Sequence, residues 1–262
     1  MSFHRIRAVL LQELFITKRS MEVMMDLFFF SVMNVIVFGY FSLFLSGIVS
    51  SSARHYLLLG IILWEVVRVA QYSMSMGALW NVWSRNLSNM FITPLSAGEY
   101  LFTHMLSGIV KALVVLGVIS LLARILFGFS IGDVGWLNLA CFFLNLVIFA
   151  WSTGIAILGL IFRFGNRIQA LAWALIALFQ PLTAAVFPVS VLPRPLQYIA
   201  FVLPPTYVFE AARQGLASAS VNVEFVAIAF ALNLLYFCLA IWFFSVMFLA
   251  SRRIGQFARN EQ

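Results

Sequence analysis

Glu65 and Arg68 stand three residues apart inside a long apolar stretch of this 262-residue chain, and Lys111 stands inside another. On a helix, positions i and i+3 share one face, so the first two are placed to meet. Each such charge near the centre of a bilayer costs about +2.5 to +3.5 kcal/mol on insertion scales, while each large aliphatic residue returns only about −0.3 to −0.6. The segment is therefore stable only if its charges pair or face a bundle interior. Lys111 lies midway along its own stretch, at a depth that lets it join Glu65. Two chemistries fit the trio: a structural ion pair that locks two helices together, or a substrate path or proton relay.

Other chemistry is thin. The three histidines, His4, His55 and His104, are scattered, which argues against a metal site. There is no GxxxxGK[ST] phosphate loop, no HExxH and no GxSxG. Cys141 and Cys238 both fall in hydrophobic stretches at different depths and are expected as free thiols.

The elements that must position these residues follow from composition. Apolar residues make up 63% of the chain and charged residues 10%, where a soluble domain has about 25% charged. At roughly 20 residues per span, the length suits six or seven transmembrane helices. The apolar runs give six, over 27–47, 56–79, 99–122, 136–162, 168–187 and 224–250. The predicted fold is an all-α membrane protein with a single transmembrane domain over 1–262. Its start does not read as a cleaved signal, because the apolar residues are spaced. Phe3, Ile6, Leu10 and Leu14 recur at helical spacing among Arg5, Gln12 and Arg19, so residues 1–20 suit an amphipathic helix on the membrane surface.

Orientation follows from the basic residues. With the N-terminus inside, Arg5, Arg7, Lys18, Arg19, Arg85, Arg163, Arg167, Arg252, Arg253 and Arg259 are cytoplasmic. Only Arg54, Arg124, Arg194 and Arg213 are outside. Both termini are therefore expected in the cytoplasm. The net charge of +7 is spread out, which suits anionic headgroups and not nucleic acid.

Three further segments carry patterns. Between spans two and three, Asn81, Asn86, Ser88 and Asn89 alternate with Trp83, Leu87, Met90 and Phe91, giving a short amphipathic helix that Thr93, Pro94 and Ser96 end. It is either a docking element for a partner protein or a plain connection. The Asn86-Leu87-Ser88 sequon, on the cytoplasmic side, is a chance match. In span four Asn138, Asn145, Ser152 and Gly159 recur every seven residues, as a helix-packing seam does. Finally, six of the seven prolines fall between Pro181 and Pro205. Pro188, Pro193 and Pro195 turn the chain, and Leu196–Leu203 fits two helical turns. Pro204-Pro205 stops them, and a second short helix over Thr206–Gln214 ends at Gly215 with Glu210 and Arg213 at i and i+3. Irregular backbone is not tolerated exposed to lipid, so the pattern reads as a re-entrant helical hairpin between spans five and six.

Two of these segments, NLSNMFITPLSAGEYL (86–101) and AVFPVSVLPRPLQYIAFVLPPTYVFEAARQGL (185–216), resemble the signatures of type 2 ATP-binding-cassette (ABC-2 type) exporter permeases, and the order of elements is similar over essentially the whole chain. The first segment departs from the commoner family form in having few charges before Thr93-Pro94-Leu95-Ser96. The resemblance implies a permease subunit, not an enzyme, that forms a homodimer in the plasma (inner) membrane and recruits two copies of a separate ABC ATPase. ATP and Mg would be bound by that partner and no cofactor by this chain. It further implies a coupling helix in the loop 80–97, carried by Trp83, Arg85, Asn86, Leu87, Asn89, Met90, Phe91, Thr93 and Pro94, with 1–20 as the interface helix. An outer gate over 188–217 would use Pro188, Pro193, Pro204, Pro205, Tyr207, Glu210 and Arg213. The implied cargo is an amphiphilic molecule: a lipid-linked glycan, polysaccharide, lipid or drug. The alternatives are a self-sufficient secondary transporter or channel that uses Glu65, Arg68 and Lys111, or an intramembrane enzyme, for which no convincing catalytic pair is present.

Overall fold

The computed structural model describes residues 2–46, 51–218 and 222–253, and every regular element among them is helical. Helix α1 (Phe3–Arg19) ends because Ser20 is extended, and the Ser20 hydroxyl then accepts the Val23 N–H at 3.3 Å, capping the next helix. That next rod is α2 (Met21–Met24), a five-residue π turn (Met25–Phe29) and α3 (Phe30–Ser46). Helix α4 (Ser51–Trp83) follows, then the short α5 (Leu87–Ile92), α6 (Ala97–Phe127) and α7 (Trp136–Phe164). Ser96 and Glu99 form a capping box that starts α6, and Gly128, in the left-handed region at φ 65°, closes it.

Helix α4 is the axis of the molecule. At 33 residues it is about 50 Å long, and α3, α6 and α7 all pack along it. Its apolar residues run all round instead of forming a stripe, so all sides must be covered. Of its most apolar stretch 94% is buried, against 17% for the peripheral last helix, α11 (Val223–Arg253), which presents apolar side chains outward. Among the described residues five helices are long and apolar enough to cross a membrane: Met21–Phe44, Arg54–Trp83, Ala97–Phe127, Trp136–Ile168 and Val223–Arg253.

The expected span over 168–187 is different. Gly165 (φ 61°) ends α7, a 3-10 turn (Gly165–Ile168) follows, and the helix proper is only α8 (Leu171–Leu182). Twelve residues reach about 18 Å, short of a bilayer core of about 30 Å. The reason lies at its end. Pro181 supplies no N–H, and Ala184 turns left-handed at φ 52°, so the helix cannot run on. Even so, the chain advances along the bundle between Ala172 and Ala185. Gln71 donates to the Ala172 carbonyl low on α4, whereas a Cβ at Gly60, three turns earlier, would lie 1.9 Å from the Ala185 carbonyl oxygen.

Ser2 and Phe248 lie at the same end of the bundle. The Ser2 amide donates to Glu99 at 2.7 Å, while Phe91 packs on Phe248 of α11 with ring centroids 5.3 Å apart. The stripe Asn138, Asn145, Ser152, Gly159 lies along the α7–α11 contact. Asn233 donates to the Asn145 carbonyl at 2.9 Å, and a Cβ on Gly159 would be 3.2 Å from the Phe244 Cα. It is the packing seam that the seven-residue spacing predicts.

Candidate functional site

Three polar constellations interrupt this apolar bundle. The first centres on Glu65, 1% exposed on α4. Its Oε2 accepts from Arg68 Nε and from Ser31 Oγ, both at 2.7 Å, and its Oε1 accepts from Asn34 Nδ2 at 2.8 Å. Arg68 also donates from Nη2 to Ser31 Oγ at 2.6 Å and from Nη1 to the Asp26 carbonyl at 3.1 Å. The Tyr72 hydroxyl donates to Asp26 Oδ2 at 2.6 Å. Glu65 and Arg68 therefore pair as their spacing predicts, but Asp26, Ser31, Asn34 and Tyr72 complete the network and the sequence reading missed them. Asp26 falls one residue before the expected span 27–47. The π turn explains the miss: with an i→i+5 backbone bond, Asp26 and Ser31, five apart, come round to the same partner. Beside the network a cavity of about 150 Å³ lies between α3, α4 and α8. Gln71 lines it, donating to Ser75 Oγ at 2.7 Å, with its buried Oε1 left without a partner.

Lys111 is not part of this network. Its Nζ donates to Glu13 Oε2 at 3.1 Å, and Glu13, on α1, is 4% exposed. His104 Nδ1 lies 3.7 Å from Glu13 Oε1, beyond hydrogen-bond reach, and neither ring nitrogen has a partner. The expected Lys111–Glu65 approach is thus replaced by a second cluster. The cause is α1, which turns Val9 and Glu13, one turn apart, toward α6 while Phe3 and Leu14 stay exposed. The i, i+4 spacing of Val9 and Glu13 was the available signal.

The third constellation is at the end that holds Ser2 and Phe248. Arg5 donates to the Pro94 carbonyl and forms a 3.4 Å ion pair with Glu99, and Gln12 donates to Asn81 Oδ1 at 3.0 Å. Between α1 and α5 these contacts border a cleft of about 440 Å³ lined by Arg5, Asn86, Asn89, Met90, Thr93 and Pro94. The short helix exists as its alternation predicts, but its apolar face is turned inward. Leu87 and Met90 are buried, and Phe91 packs on Tyr100, Phe162 and Phe248. Trp83 packs edge-on against Trp80. What the segment presents outward is Arg85, Asn89, Ile92, Thr93 and Pro94. Leu87, Met90 and Phe91 are taken up by the bundle, and Ile92 is the apolar side chain of the helix that stays exposed.

At the other end, α9 (Arg194–Val202) and α10 (Pro204–Ser218) are joined at Leu203, whose backbone is extended. Pro204 and Pro205 open α10, where a missing N–H costs nothing. Gly215 does not end the helix: α10 runs through it to Ser218. Glu210 Oε1 accepts from Arg213 Nη2 and from the Val189 amide, both at 2.9 Å, which ties α10 to the 3-10 turn after Pro188. Pro193 precedes α9, and Tyr207 donates to the Phe201 carbonyl at 3.0 Å. The Glu65 network stays separate from the other two, which meet where Asn81 donates to Tyr100 and the Tyr100 ring packs on His104. Among the described residues no three His, Cys, Asp or Glu side chains converge to hold a metal, and Cys141 and Cys238 are free thiols. No family model and no curated protein matches the chain.

Proposed function

We propose that this chain is the permease subunit of an ABC-2 type exporter, a six-crossing membrane protein with both termini in the cytoplasm of the plasma (inner) membrane. The observation that carries the reading is the junction of α1 with the 84–96 segment. A short helix is pinned to the bundle by its apolar face and to the N-terminal helix through Arg5, Pro94 and Glu99, leaving Asn89, Ile92 and Thr93 outward. A rigid element with an exposed edge suits the transmission of a push from another chain. The chain itself has no phosphate-binding loop, so ATP and Mg belong on that separate ATPase, two copies per permease dimer.

In this reading the sixth crossing is made jointly by α8 and the helices after it, and α9–α10 form a re-entrant outer gate stiffened by the Glu210–Arg213 clasp. Rigid-body movement of two permease copies passes an amphiphilic substrate outward. The self-sufficient transporter is the weaker reading, because Lys111 and the Glu65–Arg68 pair occupy different clusters and form no continuous path. Affinity purification of the full chain, expressed with its genetic neighbours, tests the proposal. Recovery of an ABC ATPase at two copies per two permeases is the expected outcome. A stable permease with no nucleotide-binding partner would contradict it.

A further inference from the structure

Helices α6 and α7 both pack along α4 but touch each other little, and the wedge between them is a groove of about 680 Å³. That volume is within the range of about 300–1,000 Å³ usual for small-molecule sites. Its walls are Leu113, Leu116 and Leu121 from α6 and Leu139 and Phe143 from α7, all within helices long and apolar enough to cross a membrane. Gly117 lies on this wall, and a Cβ there would meet nothing within 4 Å.

The groove is polar at one end only. Arg124, in the last turn of α6, is exposed, and none of the ion pairs among the described residues includes it. Asp133, on the connecting turn, is not part of the lining and forms no ion pair with it. Ser130 and Trp136, which is 76% exposed, complete the mouth. One turn below Arg124, the Ser120 Oγ is buried and has no hydrogen-bond partner. An unpaired guanidinium is a fork of donors shaped for a phosphate, and an exposed Trp suits the depth of headgroups.

We propose that the α6–α7 groove is a binding site for an anionic phospholipid, with one acyl chain along Gly117 and its phosphate at Arg124. Ser120 Oγ then donates to the ester region just below the headgroup. The charge argument selects the lipid class: zwitterionic lipids offer the same chain but bring their own cation to the mouth. The site stands whether or not the chain works with an ATPase.

Native mass spectrometry of the full chain, equilibrated in detergent with equal phosphatidylglycerol and phosphatidylcholine, tests it. The wild-type chain is expected to retain one lipid with about tenfold preference for phosphatidylglycerol, about 1.4 kcal/mol for the repulsion between Arg124 and the cation that phosphatidylcholine brings. Arg124→Gln should keep a lipid and lose the preference. Gly117→Leu fills open space, so it should fold with unchanged thermal stability and lose both lipids. Glycerol 3-phosphate, which has no acyl chain, should not compete. Equal retention of the two lipids by the wild type, or retention unaffected by Gly117→Leu, would overturn the proposal. So would full competition by glycerol 3-phosphate, which marks a bare anion site, or a shift from dimer to monomer in Gly117→Leu, which marks a face covered by a second copy.

Discussion

Two buried charged clusters share this bundle and are built on opposite terms. Around Glu65 the carboxylate receives three hydrogen bonds and Arg68 is held by α4 and by the rod that contains the π turn. Around Glu13 one ion pair joins a peripheral helix to α6, and His104 is left with two unbonded nitrogens. A saturated network fixes a core geometry, because losing any member strands the rest. A single pair with an unsatisfied neighbour is a fastening that can open. The difference assigns the Glu65 cluster to the frame of the molecule and the Glu13 cluster to the attachment of α1.

The largest test of that contrast is Glu65→Leu, which leaves the half-buried Arg68 without its carboxylate and approaches the lower end of the about 3–5 kcal/mol seen when a buried pair is broken. Thermal unfolding of the purified protein should show a large drop, and Glu65→Leu with Arg68→Met should recover most of it. Next is Gly77→Ala. Its Cβ would lie 2.3 Å from His104 Cε1 and 3.1 Å from Glu13 Oε1, so overpacking of about 1–3 kcal/mol is expected, again read by thermal unfolding. Charge exchange separates the clusters further. Glu13→Lys should release α1, seen as at least tenfold faster thiol labelling of Val9→Cys, about 1.4 kcal/mol of opening. Adding Lys111→Glu should restore protection. Pairing Lys111→Glu with Glu65→Lys should restore nothing, since those two residues do not meet. The smallest expected effect is Asn233→Leu, which removes the seam bond to Asn145 at about 0.6 kcal/mol.

What the residues disclosed in advance was whatever depends on local spacing. The i, i+3 pair Glu65–Arg68, the seven-residue stripe from Asn138 to Gly159, the short helix after Asn86 and the Glu210–Arg213 contact all follow from helical periodicity alone. What stayed hidden depends on tertiary choice. Glu13 is polar on a helix whose apolar stripe faces outward, so only docking on α6 reveals it as the partner of Lys111. The π turn that aligns Asp26 with Ser31 has no sequence mark. The length of α8 was misjudged because Pro181 and the left-handed Ala184 end a run whose hydropathy continues to Phe187. The face of α5 was misassigned for a related reason: an apolar face next to a bundle is claimed by that bundle first.

The claim that this chain is driven by another is tested most directly at the edge of α5. A photo-crosslinking amino acid at Ile92, 82% exposed, is compared with one at Tyr198, 77% exposed at the opposite end, in cells that express the full chain with its genetic neighbours. The expected result is a nucleotide-binding subunit captured from position 92 and not from position 198. Capture of no ATPase from position 92, in cells where the chain is folded and active in transport, would contradict the claim.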